Sequence, residues 1–231
     1  MLKCLIIKSL FLQKLNNFSL LIITLIFITT HFHCTQKNET INLQEGDLLL
    51  QDLDSSPLCD AIEQVTNGFN NQSFSHIGIV LMLHDTLHVL EAFNRGVNIV
   101  TLDEFLNRSV NKDLKPKVLV GRVKKEYSYL IPKAIEHGIK LIGKEYDPEF
   151  KINNDKFYCS ELIYEIFHIA NGNNTFFKLE PMTYQLEGET LLIWKNYFRE
   201  LNIPIPEQEL GINPGGISLS EKIDIIHNYQ N

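Results

Sequence analysis

Cysteine is scarce in this chain. Four stand among 231 residues, Cys4, Cys34, Cys59 and Cys159, and no two have a CxxC or other paired zinc-ligand spacing. That excludes a disulfide-stapled scaffold and gives no sign of a metal site, so each cysteine has to be judged singly. Positive charge is also short: 21 Lys and Arg stand against 28 Asp and Glu, for a formal net charge of −7. Phosphate recognition needs clustered Lys and Arg, and the lysine pairs here are isolated, so no nucleic-acid partner is expected. There is no internal repeat, and the 44% of hydrophobic residues with 10% aromatics suffices to fill the core of one globular domain.

The first 34 residues are of another character. Lys3, Lys8 and Lys14 form a basic leader to the uncharged run 18–30 (FSLLIITLIFITT). A span needs about 20 apolar residues, so the run fits a signal-peptide core better. Cys34 follows, then the polar Thr35-Gln36-Lys37-Asn38, a layout that resembles a bacterial lipoprotein signal with Cys34 as the acylated residue. Three readings stay open: that signal, an uncleaved anchor or other exported form, and an unprocessed helix of a soluble protein. Export to the cell envelope is the expectation, with the membrane as partner through this segment or through lipid on Cys34. The division that follows is 1–34 signal or anchor, 35–42 linker, and 43–231 one catalytic domain.

Within that domain a strand is expected at 47–51 and a short helix at 59–66, with Asp54-Ser55-Ser56-Pro57 as its start signal. Residues 75–83 (SHIGIVLML) and 87–93 (LHVLEAF) read as a β-hairpin turning at His84-Asp85. Thr101 and Glu104 have capping-box spacing before a short helix at 102–106, and 118–123 (VLVGRV) is strand-like with Arg122 at its edge. Apolar residues three and four apart predict helices over 127–142 and 158–169, and further helices are expected over 190–201 and within 218–227. Helices mixed with antiparallel pairing indicate an α+β fold.

A thiol attacks only as thiolate, and a helix N-terminus or a nearby imidazolium favours that form. Cys159 stands at the first turn of the 158–169 helix. Taken alone, a free cysteine is more often a small core residue. His76, however, lies in an otherwise apolar strand, where an imidazole needs a partner. A turn at His84-Asp85 sets Gly78 opposite Glu91, which puts Glu91 on the same face as His76 and diagonal to it, about 7–8 Å away between strand positions. One arrangement explains both oddities: Glu91 fixes the tautomer of His76, and His76 takes the thiol proton.

The segments GDLLLQ (46–51), FSHIGIV (74–80), LEAF (90–93), GKEYD (143–147) and FYCSELIYEIF (157–167) together resemble the YiiX/YebB-like permuted branch of the NlpC-type papain-like cysteine hydrolases, over roughly 43–170. The resemblance implies a small antiparallel barrel-like sheet packed on helices, Cys159 as nucleophile, His76 as base, Glu91 as third member, and Tyr158 and Asp47 bordering a substrate site. It implies no cofactor, and cell-wall peptides or lipid-linked acyl amides as substrates. The expected activity is hydrolysis of an amide through an acyl-cysteine. An acyltransferase on the same residues and a non-catalytic envelope binding protein are the alternatives. Other histidines argue for no metal: His84 and His88 are read as exposed turn residues, and His137 and His168 as surface positions. Glu161 reads as a complement to its helix dipole, and a Cys59–Cys159 disulfide would silence the thiol.

Overall fold

The computed structural model describes residues 41–184 and 188–231; Cys34 and the leader fall outside them. Six strands, β1 (Leu48–Gln51), β2 (His76–Leu83), β3 (Thr86–Phe93), β4 (Gly96–Thr101), β5 (Val118–Val123) and β8 (Ile223–Asn228), form one sheet in the order β4-β3-β2-β1-β5-β8. Every pairing in it is antiparallel. A two-stranded ribbon, β6 (Glu180–Pro181) and β7 (Leu210–Gly211), lies apart from it. The helices are α1 (Pro57–Gln64), α2 (Leu102–Asn107), α3 (Ile131–Lys140), α4 (Cys159–Ala170), α5 (Glu189–Glu200) and α6 (Pro214–Ser218).

The β2–β3 turn consists of His84 and Asp85, both at positive φ (49° and 60°). Such a turn matches the right-handed twist of its strands and so sets their register: Leu83 faces Thr86 and Gly78 faces Glu91, as the sequence predicts. At α2 the Thr101 hydroxyl accepts the Glu104 N–H at 3.1 Å. Strand β4 was not expected. It starts at Gly96, at φ 103°, where a Cβ would stand 2.0 Å from the Lys144 carbonyl oxygen.

Two expectations need correction. The helix predicted over 127–142 is a 3₁₀ segment, Lys125–Leu130, followed by α3. Pro132 has no N–H for the Ser128 carbonyl, which accepts from Ile131 instead. The helix expected within 218–227 is replaced by the end of α6 and then strand β8, which pairs with β5. Short apolar runs such as IDII serve either geometry, and the unpaired edge of β5 decides for strand. Arg122 therefore lies on an inner strand of the sheet.

Helix α4 packs on β2 and β3, with α3 beside it, and α1 packs on α5. Leu162, Ile163, Ile166 and Phe167 of α4 meet Leu48, Leu50, Ile77, Ile79 and Leu90 of the sheet in the core. Each such side chain contributes about 1.5–3 kcal/mol by burial. The core thereby presses the first turn of α4 against the start of β2, where Cys159 and His76 lie.

Candidate active site

His76 opens β2, opposite Gln51 of β1. The backbone before it is held by Ser75, whose hydroxyl accepts from Leu53 N–H at 3.0 Å and donates to Glu63 Oε1 at 2.8 Å. Burial pushes Glu63 up to about 7. Glu91 of β3 reaches diagonally past Gly78, and His76 Nε2 stands 2.6 Å from Glu91 Oε2. Both side chains are buried. The space a Cβ on Gly78 would need is filled by Val89 and the Phe105 ring.

Cys159 is the first residue of α4, after Tyr158 in extended conformation. Its thiol lies beside the His76 side chain, close enough to raise the imidazole pKa, and donates to the Ser75 carbonyl oxygen at 3.9 Å. Because Nε2 is taken by Glu91, the ring nitrogen left for the thiol is Nδ1. The helix start is secured by Glu161, whose carboxyl accepts the N–H groups of Tyr158 (3.4 Å) and Asn153 (3.3 Å). Glu161 is buried, and burial with the nearby Asp147 charge pushes it up to about 8, so near neutral pH it holds the turn as a hydrogen-bond acceptor rather than as a charge opposing the helix dipole. Cys59 and Cys159 are both free thiols.

Burial alone would lower the His76 pKa, but its hydrogen bonds to Cys159 and Glu91 and their charges outweigh it and push it up to about 9. Burial alone would raise Glu91, but hydrogen bonds and charge from Arg108 and His76 hold it down at about 2. Stability follows with opposite signs. The Glu91 contribution is present above its ordinary 4.5 and lost as pH falls towards 2; that of His76 is present below its ordinary 6.5 and lost as pH rises through 9. Glu63 and Glu161, raised to about 7 and about 8, also lose their contributions as pH rises from 4.5 through those values, so the melting temperature is expected to be highest near pH 4.5 and to fall several degrees on either side, at about 2–4 °C per kcal/mol for a domain of this size. Calorimetry across pH checks this, and a melting temperature unchanged through the alkaline limb would rule out the His76 coupling.

Cys159 opens on a cleft of about 630 Å³, mouth included. It is lined by Ile62 of α1 and Val65 just after it, and by Tyr146, Phe150 and Tyr158 from the segment before α4. Met182, Tyr184, Trp194 and Ile212, from the C-terminal part of the chain, line it as well. Among the described residues, no Asp, Glu, Lys, Arg or His lines it.

Of the residues singled out in the sequence, Cys159, His76 and Glu91 come together, and Tyr158 borders the cleft with its hydroxyl accepting the Ile212 N–H at 3.2 Å. Asp47 is not brought there. It precedes the far end of β1 from Gln51, where both its oxygens accept from Arg122 at 2.7 Å and Oδ2 also takes the Gln44 N–H. It is a buried structural ion pair. Two residues at the site were missed. Arg108 holds Glu91 through two hydrogen bonds of 2.8 and 2.7 Å, and the sequence carried no signal for this beyond its place after α2. Tyr146 stands beside Cys159 on the cleft, its hydroxyl without a hydrogen-bond partner among the described residues; it lies in the GKEYD segment already noted. The main-chain exchange between residues 145–147 and Phe157 fixes it there.

The histidine and acid thus precede the cysteine in the chain, on strands against which the cysteine helix packs. Residues 42–214 match the family described as permuted papain-like amidase enzyme, YaeF/YiiX, C92 family. The chain belongs to this family. Like other members of the YaeF/YiiX family, it is therefore a papain-like cysteine hydrolase of the amidase and peptidase kind. Among solved structures it is similar to metalloprotein YiiX from Escherichia coli O157:H7, at 22% identity over 80% of this chain and 97% of that one, with a TM-score of 0.65. That likeness is one of fold. Among the described residues of the present YaeF/YiiX-family chain, no group of three or more His, Cys, Asp or Glu is arranged to hold a metal ion. A comparison with curated proteins finds no match.

Proposed function

We propose that this amidase cleaves the amide of a hydrophobic acyl group through an acyl-cysteine on Cys159. His76 Nδ1 takes the thiol proton, and Sγ bonds the carbonyl carbon. The oxyanion formed faces the Cys159 N–H, one of the unpaired donors of the first turn of α4, and the Tyr146 hydroxyl. Collapse breaks the C–N bond, His76 returning the proton to the departing amine. Water then attacks the thioester, giving its proton to His76, and the carboxylic acid leaves as that proton returns to Sγ. Glu91 holds the imidazolium through Nε2–H.

The observation that carries the choice of substrate is that the described residues lining the cleft carry no charge. Cell-wall peptides bear carboxylates and ammonium groups, and desolvating one without a partner costs several kcal/mol. An apolar acyl chain gains about 0.8 kcal/mol per buried CH₂. With a series of N-acyl amides sharing one amine, kcat/KM is expected to rise about fourfold per methylene until the cleft is full. Muropeptides should be turned over far more slowly. Equal or faster cleavage of the charged peptides, with no dependence on acyl length, would move the assignment to cell-wall peptides.

A further inference from the structure

We propose that Arg108 is a positioning residue of the reaction: it clamps the Glu91 carboxylate so that Oε2 stays on His76 Nε2 and the imidazole keeps its other nitrogen for Cys159. The inference rests on the roles given above to Cys159, His76 and Glu91.

A glutamate reaching across two strands has a freely turning carboxylate unless something fixes its plane. Arg108 does so with a two-pronged contact, Nη2 to Oε1 at 2.7 Å and Nη1 to Oε2 at 2.8 Å, which leaves Oε2 aimed at the imidazole 2.6 Å away. The surroundings are shaped for this. The guanidinium lies 4.5 Å from the Phe93 ring centre and 5.4 Å from that of Phe105. The same two rings flank His76, at 4.9 and 5.6 Å. Two phenyl rings therefore box in a row of Arg108, Glu91 and His76, in which one carboxylate stands between two nitrogen groups. Helix α2 supplies the geometry, since Phe105 is on it and Arg108 caps its end.

The row has a chemical consequence. A carboxylate serving an imidazolium alone competes for its proton in a dry site. Held by a guanidinium that never gives up its own proton, Glu91 stays an acceptor, and the proton remains on His76 for the departing amine. The charged and titratable groups facing the row are few. His76 comes from β2, Cys159 from α4 and Glu104 from α2, the last 3.8 Å from Arg108, while β4 presents the neutral Asn98 opposite Glu91.

A purely structural counter-ion would predict the same loss of stability on mutation, so the test needs other readouts. In the full chain, Arg108→Lys keeps the charge and loses the fork. Its kcat on the preferred N-acyl amide is expected to fall about tenfold with KM unchanged, and that of Arg108→Met about a hundredfold. In both, the acid limb of the pH profile of Cys159 alkylation by iodoacetamide, which needs no substrate, should move to higher pH, because Glu91 is no longer held ionised as firmly. Glu104→Gln should leave both readouts unchanged. If Arg108→Lys has wild-type kcat and an unshifted pH profile and differs only in melting temperature, the proposal is overturned; this variant decides alone should Arg108→Met not fold. Glu91→Gln separates the two levels. If it too keeps wild-type kcat, the roles given to the triad have failed; if it is impaired while Arg108→Lys is not, only the role of Arg108 has.

Discussion

Cys159→Ala is expected to abolish amide hydrolysis, lowering kcat by at least about 10³-fold, while the domain stays folded. In the proposed mechanism the sulfur is the atom to which the acyl group bonds, and among the described residues no second thiol can replace it: Cys59 is hydrogen-bonded with Ser55 and Ser56 and does not line the cleft. The structural cost of the change is small, since one sulfur is removed from a helix terminus whose hold comes from Glu161 and the core face of α4. Intact-mass analysis of enzyme quenched during turnover provides the check. Wild type should carry the acyl mass on the peptide containing Cys159, and the alanine variant should carry none. Residual turnover within tenfold of wild type would mean that the nucleophile lies elsewhere.

Replacing His76 by alanine is expected to reduce kcat by a similar factor and, independently of any substrate, to slow alkylation of Cys159 by iodoacetamide at about pH 5.5 to the rate of an ordinary thiol. In the proposed mechanism the imidazole acts as proton acceptor and as counter-charge to the thiolate. Among the described residues nothing else charged stands in the cleft lining to inherit that work. The Glu91–Arg108 pair survives the substitution, so the sheet should lose only the packing of the ring between Phe93 and Phe105. Buried Cys59 serves as internal control, since its labelling should be the same in both proteins. If Cys159 labels equally fast with and without His76, there is no thiolate–imidazolium pair, and a non-catalytic binding role on the same fold becomes the better account.

Some positions were legible because a single local rule governed them. The two-residue turn at His84-Asp85 set the register of the hairpin, and with it the Gly78–Glu91 pairing and the nearness of Glu91 to His76. The apolar spacing of 158–169 marked α4, with Cys159 in its first turn. The capping residues Thr101 and Glu104 marked α2. Other positions were not legible because their signal is not local. Asp47 looked like a site residue from the GDLLLQ segment, yet its carboxylate is claimed by Arg122, 75 positions further on. Glu161, read as a dipole partner, turned out to be buried against Asn153 and Tyr158. The IDII run became a strand because β5 had an edge to fill.

The chain by itself therefore determined where the candidate residues Cys159, His76 and Glu91 stand on their elements and relative to their nearest neighbours, because turn geometry, helix periodicity and capping act over a few residues. Tertiary structure alone decided the environment of that chemistry. It brought Arg108 onto Glu91, set Tyr146 beside the thiol, and gathered Met182, Tyr184 and Trp194 with Ile62 into a cleft whose described lining carries no charge. Contacts between residues so far apart in the chain depend on how the core packs the helices on the sheet, and no spacing along the sequence encodes that.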